Sequence, residues 1–86
     1  MINDNMTDEE KANTDKLDFF LNKNIKVHIT LKRILLNGKN SWINGLVTSR
    51  ESNRVWGIQE NQLGYLRISI SEIAPNGVEE FRDGTL

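Results

Sequence analysis

Cysteine is absent from the chain. Disulfides and thiolate metal sites are therefore excluded, and with them the staples of many small secreted domains. Proline occurs once, at Pro75, and histidine once, at His28. One histidine without cysteine does not supply an ordinary zinc site, so neither a metal nor another cofactor is expected. No apolar run approaches the ~20 residues needed to span a bilayer, and no membrane partner is expected on that ground. Met1 to Glu10 is polar and acidic and lacks the basic start and apolar run of a secretory signal. A cytoplasmic location is the expectation. An excess of either charge is also missing: 11 Lys and Arg stand against 12 Asp and Glu, for a net charge of −1. A protein that holds nucleic acid by charge alone is usually basic overall, so any such role must use a local patch.

The residues of catalysis are equally sparse. There is no glycine-rich phosphate loop, and no serine stands in sequence context with a histidine and an acid. Ser71, Asp18 and the Glu79-Glu80 pair raise the question. Adjacent residues on a strand point to opposite faces, which makes Glu79 and Glu80 a poor catalytic pair. No catalytic residue is assigned and no enzymatic activity is expected.

What remains is enough for one small domain. The 86 residues are 37% hydrophobic. A core this small leaves much apolar surface uncovered, so association with other subunits would add stability. The chain divides into an acidic mobile tail at residues 1–13, a domain at 14–81 and a frayed tail at 82–86. Thr14 or Asp15 is the preferred cap of a short helix running to Asn22, with Leu17, Phe20 and Leu21 on one face. Thr7 and Glu10 have capping-box spacing and offer an earlier start.

From Ile25 the period changes to two. Ile25, Val27, Ile29 and Leu31 alternate with Lys26, His28, Thr30 and Lys32, the pattern of a half-buried strand. Asn37-Gly38 predicts a hairpin turn. Trp42, Ile43, Leu46 and Val47 form the returning strand, with Gly45 where the strand bends or another backbone comes close. Ser49 to Asn53 reads as a polar break. Val55, Trp56 and Ile58 make a third strand, Asn61 to Gly64 a turn, and Tyr65 to Ser71 a fourth strand. Pro75-Asn76-Gly77 predicts a further turn before a short fifth strand with Val78 and Phe81. The fold class is mainly β: a short N-terminal helix followed by a five-stranded, strongly bent barrel. No helical period follows Asn22, which argues against an OB-type barrel.

This order of elements resembles the Sm-like (LSm) family over residues 15 to 81. Leu17 to Asn24 looks like the family's short helix, and Ile25 to Lys32 like its first strand. Ile43-Asn44-Gly45-Leu46-Val47 resembles the second strand, and Gly64-Tyr65-Leu66-Arg67-Ile68 the start of the second Sm motif. The resemblance implies a homo-oligomeric ring in which the fourth strand of one copy meets the fifth of the next, with single-stranded RNA as partner. It places the RNA-binding loop at Ser49-Arg50-Glu51-Ser52-Asn53. Only Asn53 matches there, and Glu51 stands where a base would stack. Ser69-Ile70 replaces the Arg-Gly of the second motif. Arg33 to Leu36 lengthens the first hairpin.

The candidate RNA contacts are therefore Arg50, Asn53, Arg54 and Arg67. Three are cations suited to phosphate, and the simpler reading of each is solubilising surface charge. His28 is read as a solvated or hydrogen-bonding residue, and Trp42 and Trp56 as core or interface packing before base stacking. The run Ile34-Leu35-Leu36 is read as an extension of the first two strands, partly at a subunit contact. The other function class is an SH3-like module for protein interaction without nucleic acid.

Overall fold

The computed structural model describes residues 5–82. The chain is mainly β. Helix α1 (Asp8–Lys23) precedes strands β1 (Lys26–Ile34), β2 (Asn40–Ser52), β3 (Val55–Glu60), β4 (Gly64–Ser69) and β5 (Ile73–Glu80). A short 3-10 turn, Ile70–Glu72, links β4 to β5.

The helix starts at the earlier of the two caps. Thr7 Oγ1 accepts from the Glu10 N–H and Glu10 Oε1 accepts from the Thr7 N–H, each at 3.1 Å. This reciprocal pair satisfies two donors that a helix end leaves free. Asp8, Glu9 and Glu10 lie in the first turn, where the helix dipole favours negative charge. The preferred start at Thr14 or Asp15 is corrected, because Asn13 and Thr14 are buried inside the helix. Asn13 Nδ2 donates to the Ala74 carbonyl at 3.1 Å, which fastens α1 to β5. Residues 8–13 thus belong to the helix and not to a tail. The remaining tail segments, 1–4 and 83–86, lie outside the described residues.

The five strands form one antiparallel sheet in the order β4-β3-β2-β1-β5. The expected barrel is not closed: among the described residues no ladder joins β4 to β5. The chain leaves β4 through the 3-10 turn, where the Ile70 N–H donates to the Arg54 carbonyl at 2.8 Å. That bond ties the turn to the start of β3 and carries the chain away from β4 before β5 begins.

β2 runs through the predicted polar break to Ser52. Its pairing with β3 shifts register between Val47 and Ser49 and again between Arg50 and Ser52. Such bulges bend a strand without ending it, so polar residues here curve β2. Pro75-Asn76-Gly77 is likewise no turn between elements. It lies within β5, with Asn76 at φ 56°, where the β1 pairing jumps from Ile29↔Val78 to Leu31↔Ile73. Proline is tolerated because β5 is an outer strand. Gly45 meets its expected close approach: a Cβ there would sit 2.6 Å from the Gln59 carbonyl oxygen.

One face of the sheet and α1 enclose the core. Val27, Ile29, Ile43, Val47, Trp56, Ile58, Ile68, Ile70, Ile73 and Val78 are buried with Leu17, while Phe20 and Leu21 pack against them. The β1–β2 hairpin extends past this core. β5 pairs with β1 only as far as Leu31, and β3 with β2 only as far as Gly45. Residues 32–40 are all exposed.

Candidate nucleic-acid interface

The loop expected to touch RNA shrinks to Asn53 and Arg54, between β2 and β3. The bulged end of β2 turns Arg50 toward the helix. Arg50 Nη1 reaches Asp18 Oδ2 at 2.9 Å, Nη2 donates to the Asn53 carbonyl at 3.1 Å, and Nε donates to the Ser52 carbonyl at 3.3 Å. Its guanidinium also lies over the Trp56 ring. The cation thus joins α1, the loop and the core. Asn53 contributes its backbone oxygen to this arrangement, and its side chain is exposed.

Arg54 turns to the start of the helix. Its Nη2 lies 3.4 Å from Glu10 Oε1, the same oxygen that accepts from the Thr7 N–H. Arg67, on β4, lies with Glu51 instead. Arg67 Nε donates to Glu51 Oε1 at 2.7 Å, and the Tyr65 hydroxyl donates to Glu51 Oε2. Ser49 Oγ lies 3.4 Å from both Tyr65 Oη and Glu51 Oε2. The Tyr65 hydrogen bond, with Arg67 next, holds the Glu51 carboxyl below its ordinary pKa, and Glu51 raises that of Arg67.

The structure therefore brings Arg50 and Asn53 together but does not gather the three arginines into one cationic patch. Each is matched to its own carboxylate: Asp18, Glu10 and Glu51. A phosphate at this site would have to compete with all three. The capping-box spacing flagged Glu10, but nothing in the sequence tied it to Arg54. The role of Asp18 needs the fold, because its partner is 32 positions away.

His28 is a hydrogen-bonding residue, as read. Its Nδ1 lies 2.6 Å from Asn44 Oδ1, directly across the β1–β2 ladder. Its ring centroid is 5.4 Å from that of Trp42. The two tryptophans diverge. Trp56 is fully buried, whereas Trp42 stays 55% exposed on the outer face and is not a core residue. Among the described residues, no group of three or more histidines or carboxylates could hold a metal, and no helix is long and apolar enough to cross a membrane. No protein-family model, curated protein or solved structure matches the chain.

Proposed function

We infer that the chain is a non-catalytic assembly module of Sm-like build, acting as a homo-oligomeric scaffold. The observation that carries this reading is the pair of open edges. β4 and β5 occupy the two outer positions of one sheet, and among the described residues each has a strand neighbour on one side only. Open edges of this kind invite pairing with another chain. The β4 edge of one copy can meet the β5 edge of the next, and a head-to-tail contact closes into a ring when its rotation permits. The order of elements that resembles the Sm-like family supports the same arrangement.

A scaffold role is favoured over RNA binding at Arg50, Asn53, Arg54 and Arg67, because the arginines already have carboxylate partners. Sedimentation at micromolar concentration should give a mass several times the 9.9 kDa of one chain. A strict monomer would overturn the assembly. Titration with oligo-uridine and oligo-adenosine at low and moderate salt should show no binding that depends on these arginines. Binding abolished by Arg54→Gln would restore the RNA reading.

A further inference from the structure

We propose that the projecting β1–β2 ribbon is an attachment arm for an anionic lipid surface. Charge is distributed unevenly along the chain. Between Asp18 and Glu51 the chain carries Lys23, Lys26, Lys32, Arg33, Lys39 and Arg50 and no acidic residue. Arg50 is held by Asp18. Lys32, Arg33 and Lys39 lie on the ribbon, are exposed, and make no ion pair among the described residues. A chain of net charge −1 thus concentrates free positive charge on one projection.

The same projection carries exposed apolar groups. Ile34 is 59% exposed, Leu35 43%, Leu36 108% and Trp42 55%. No third strand flanks the ribbon beyond Leu31 and Gly45 among the described residues. A two-stranded ribbon is marginally stable in water by itself, and leaving aliphatic side chains uncovered at its apex forfeits their burial. The apex is closely bonded all the same. The Leu35 N–H donates to the Lys39 carbonyl at 2.8 Å, the Gly38 N–H donates to the Leu35 carbonyl at 2.9 Å, and Asn37 Oδ1 accepts from the Lys39 N–H at 3.0 Å. Leu36 is thereby held at the tip of a defined turn.

The order of groups along the ribbon selects the partner. Leu35 and Leu36 come first, Arg33 and Lys39 beside them, and Trp42 two residues into β2. A bilayer surface has a place for each. Hydrocarbon takes the aliphatic tip, and the headgroup region takes both the cations, at the lipid phosphates, and the indole. Single-stranded nucleic acid would use the cations and Trp42 but would give Leu36 nothing to do. A second copy of the chain would cover the leucines, but it would use the three cations only where it brought carboxylates to them. The expectation of no membrane partner rested on the lack of a spanning segment, and an arm that embeds only its tip needs none. The inference does not depend on the oligomeric reading.

Full-length protein is mixed with vesicles of phosphatidylcholine alone, or of phosphatidylcholine with phosphatidylglycerol, at low and moderate salt. Anionic vesicles should bind the protein about tenfold or more tightly than neutral ones, less so as salt rises. Tryptophan emission should shift to the blue, and brominated lipid should quench it, because Trp42 is exposed and Trp56 already buried. Leu35→Ser with Leu36→Ser should weaken partition about tenfold or more, as should Lys32→Gln with Arg33→Gln and Lys39→Gln. These side chains are exposed, so circular dichroism and the urea midpoint should stay unchanged. Absence of binding to anionic vesicles at low salt would overturn the proposal. So would binding untouched by the serine pair, or a bound state in which brominated lipid leaves Trp42 unquenched. If the serine pair lowers the assembly mass and leaves vesicle binding intact, the occupant is a second copy. If an oligonucleotide binds through the lysines and vesicles do not, it is nucleic acid. Either result also overturns the lipid assignment.

Discussion

The Arg50 guanidinium lies over the buried Trp56 ring, 4.6 Å from its centroid. It covers the largest side chain of the core while its Nη1 holds Asp18 on the helix. One cation therefore links β2, β3 and α1, and this explains why a residue suited to phosphate is engaged elsewhere.

Replacing Arg50 by alanine should cost about 1–2 kcal/mol. Cation–π contact contributes roughly 0.5–1 kcal/mol at such a site, and loss of the packed stem adds to it. The ion pair with Asp18 is partly exposed and contributes little. Urea unfolding reads the change. In a Trp42→Phe background, Trp56 emission should also shift to the red. An unchanged midpoint and spectrum would show that Arg50 is ordinary surface charge.

Glu51 should titrate below its ordinary value, with Tyr65 the larger cause and Arg67 next. The sign follows from a lowered folded-state pKa. Its contribution is present above the unfolded pKa and is lost as pH falls through the folded one. Carboxyl carbon NMR should show the low midpoint, and Tyr65→Phe should move it back up. A midpoint that ignores Tyr65→Phe would mean the hydroxyl does not hold the carboxylate.

Gly57→Ala should destabilise by about 1 kcal/mol, as the Tyr65 ring gives way and its hydrogen bond is lost. A Cβ there would stand 2.7 Å from both Ser49 Oγ and Tyr65 Cζ. The Tyr65 ring would have to move aside, and Glu51 would lose the hydrogen bond from its hydroxyl. Adding Tyr65→Ala should make the double variant less unstable than the sum of the two. Strict additivity would place the cause elsewhere.

Thr7→Ala should cost about 1 kcal/mol, the usual loss for an N-cap. Beginning the chain at residue 14 should cost more, because it also removes the Asn13 bond to Ala74. Thermal melting checks both. A truncated chain as stable as the parent would restore the reading of these residues as a tail.

Much of the fold was legible because strands write their period locally. Val27 and Ile29 alternate with Lys26 and His28, and this parity alone sends the first pair inward. Even Trp42 is legible this way, since it has the opposite parity to buried Ile43. The misread segments are those where local chemistry has two uses. Pro75-Asn76-Gly77 makes a turn between strands or a bulge within one, and only its pairing with β1 decides which. Ser49 to Asn53 is polar enough for a loop, yet β3 holds most of it in the ladder.

The candidate site was legible as residue types and not as an arrangement. Arg50, Arg54 and Arg67 are plain in the sequence, and cations near a loop suggest phosphate. Their partners come from the helix start, the helix middle and β2.

The sequence by itself determined a β-rich chain without disulfides, the alternation of its strands, and the cationic stretch from Lys23 to Arg50. These properties reside in composition and in a two-residue backbone period. Tertiary structure alone decided that the sheet stays open, that the hairpin projects past its neighbours, and that each arginine meets a carboxylate. Such outcomes depend on register and on the curl imposed by bulges, which bring residues as distant as Asp18 and Arg50 within hydrogen-bond reach.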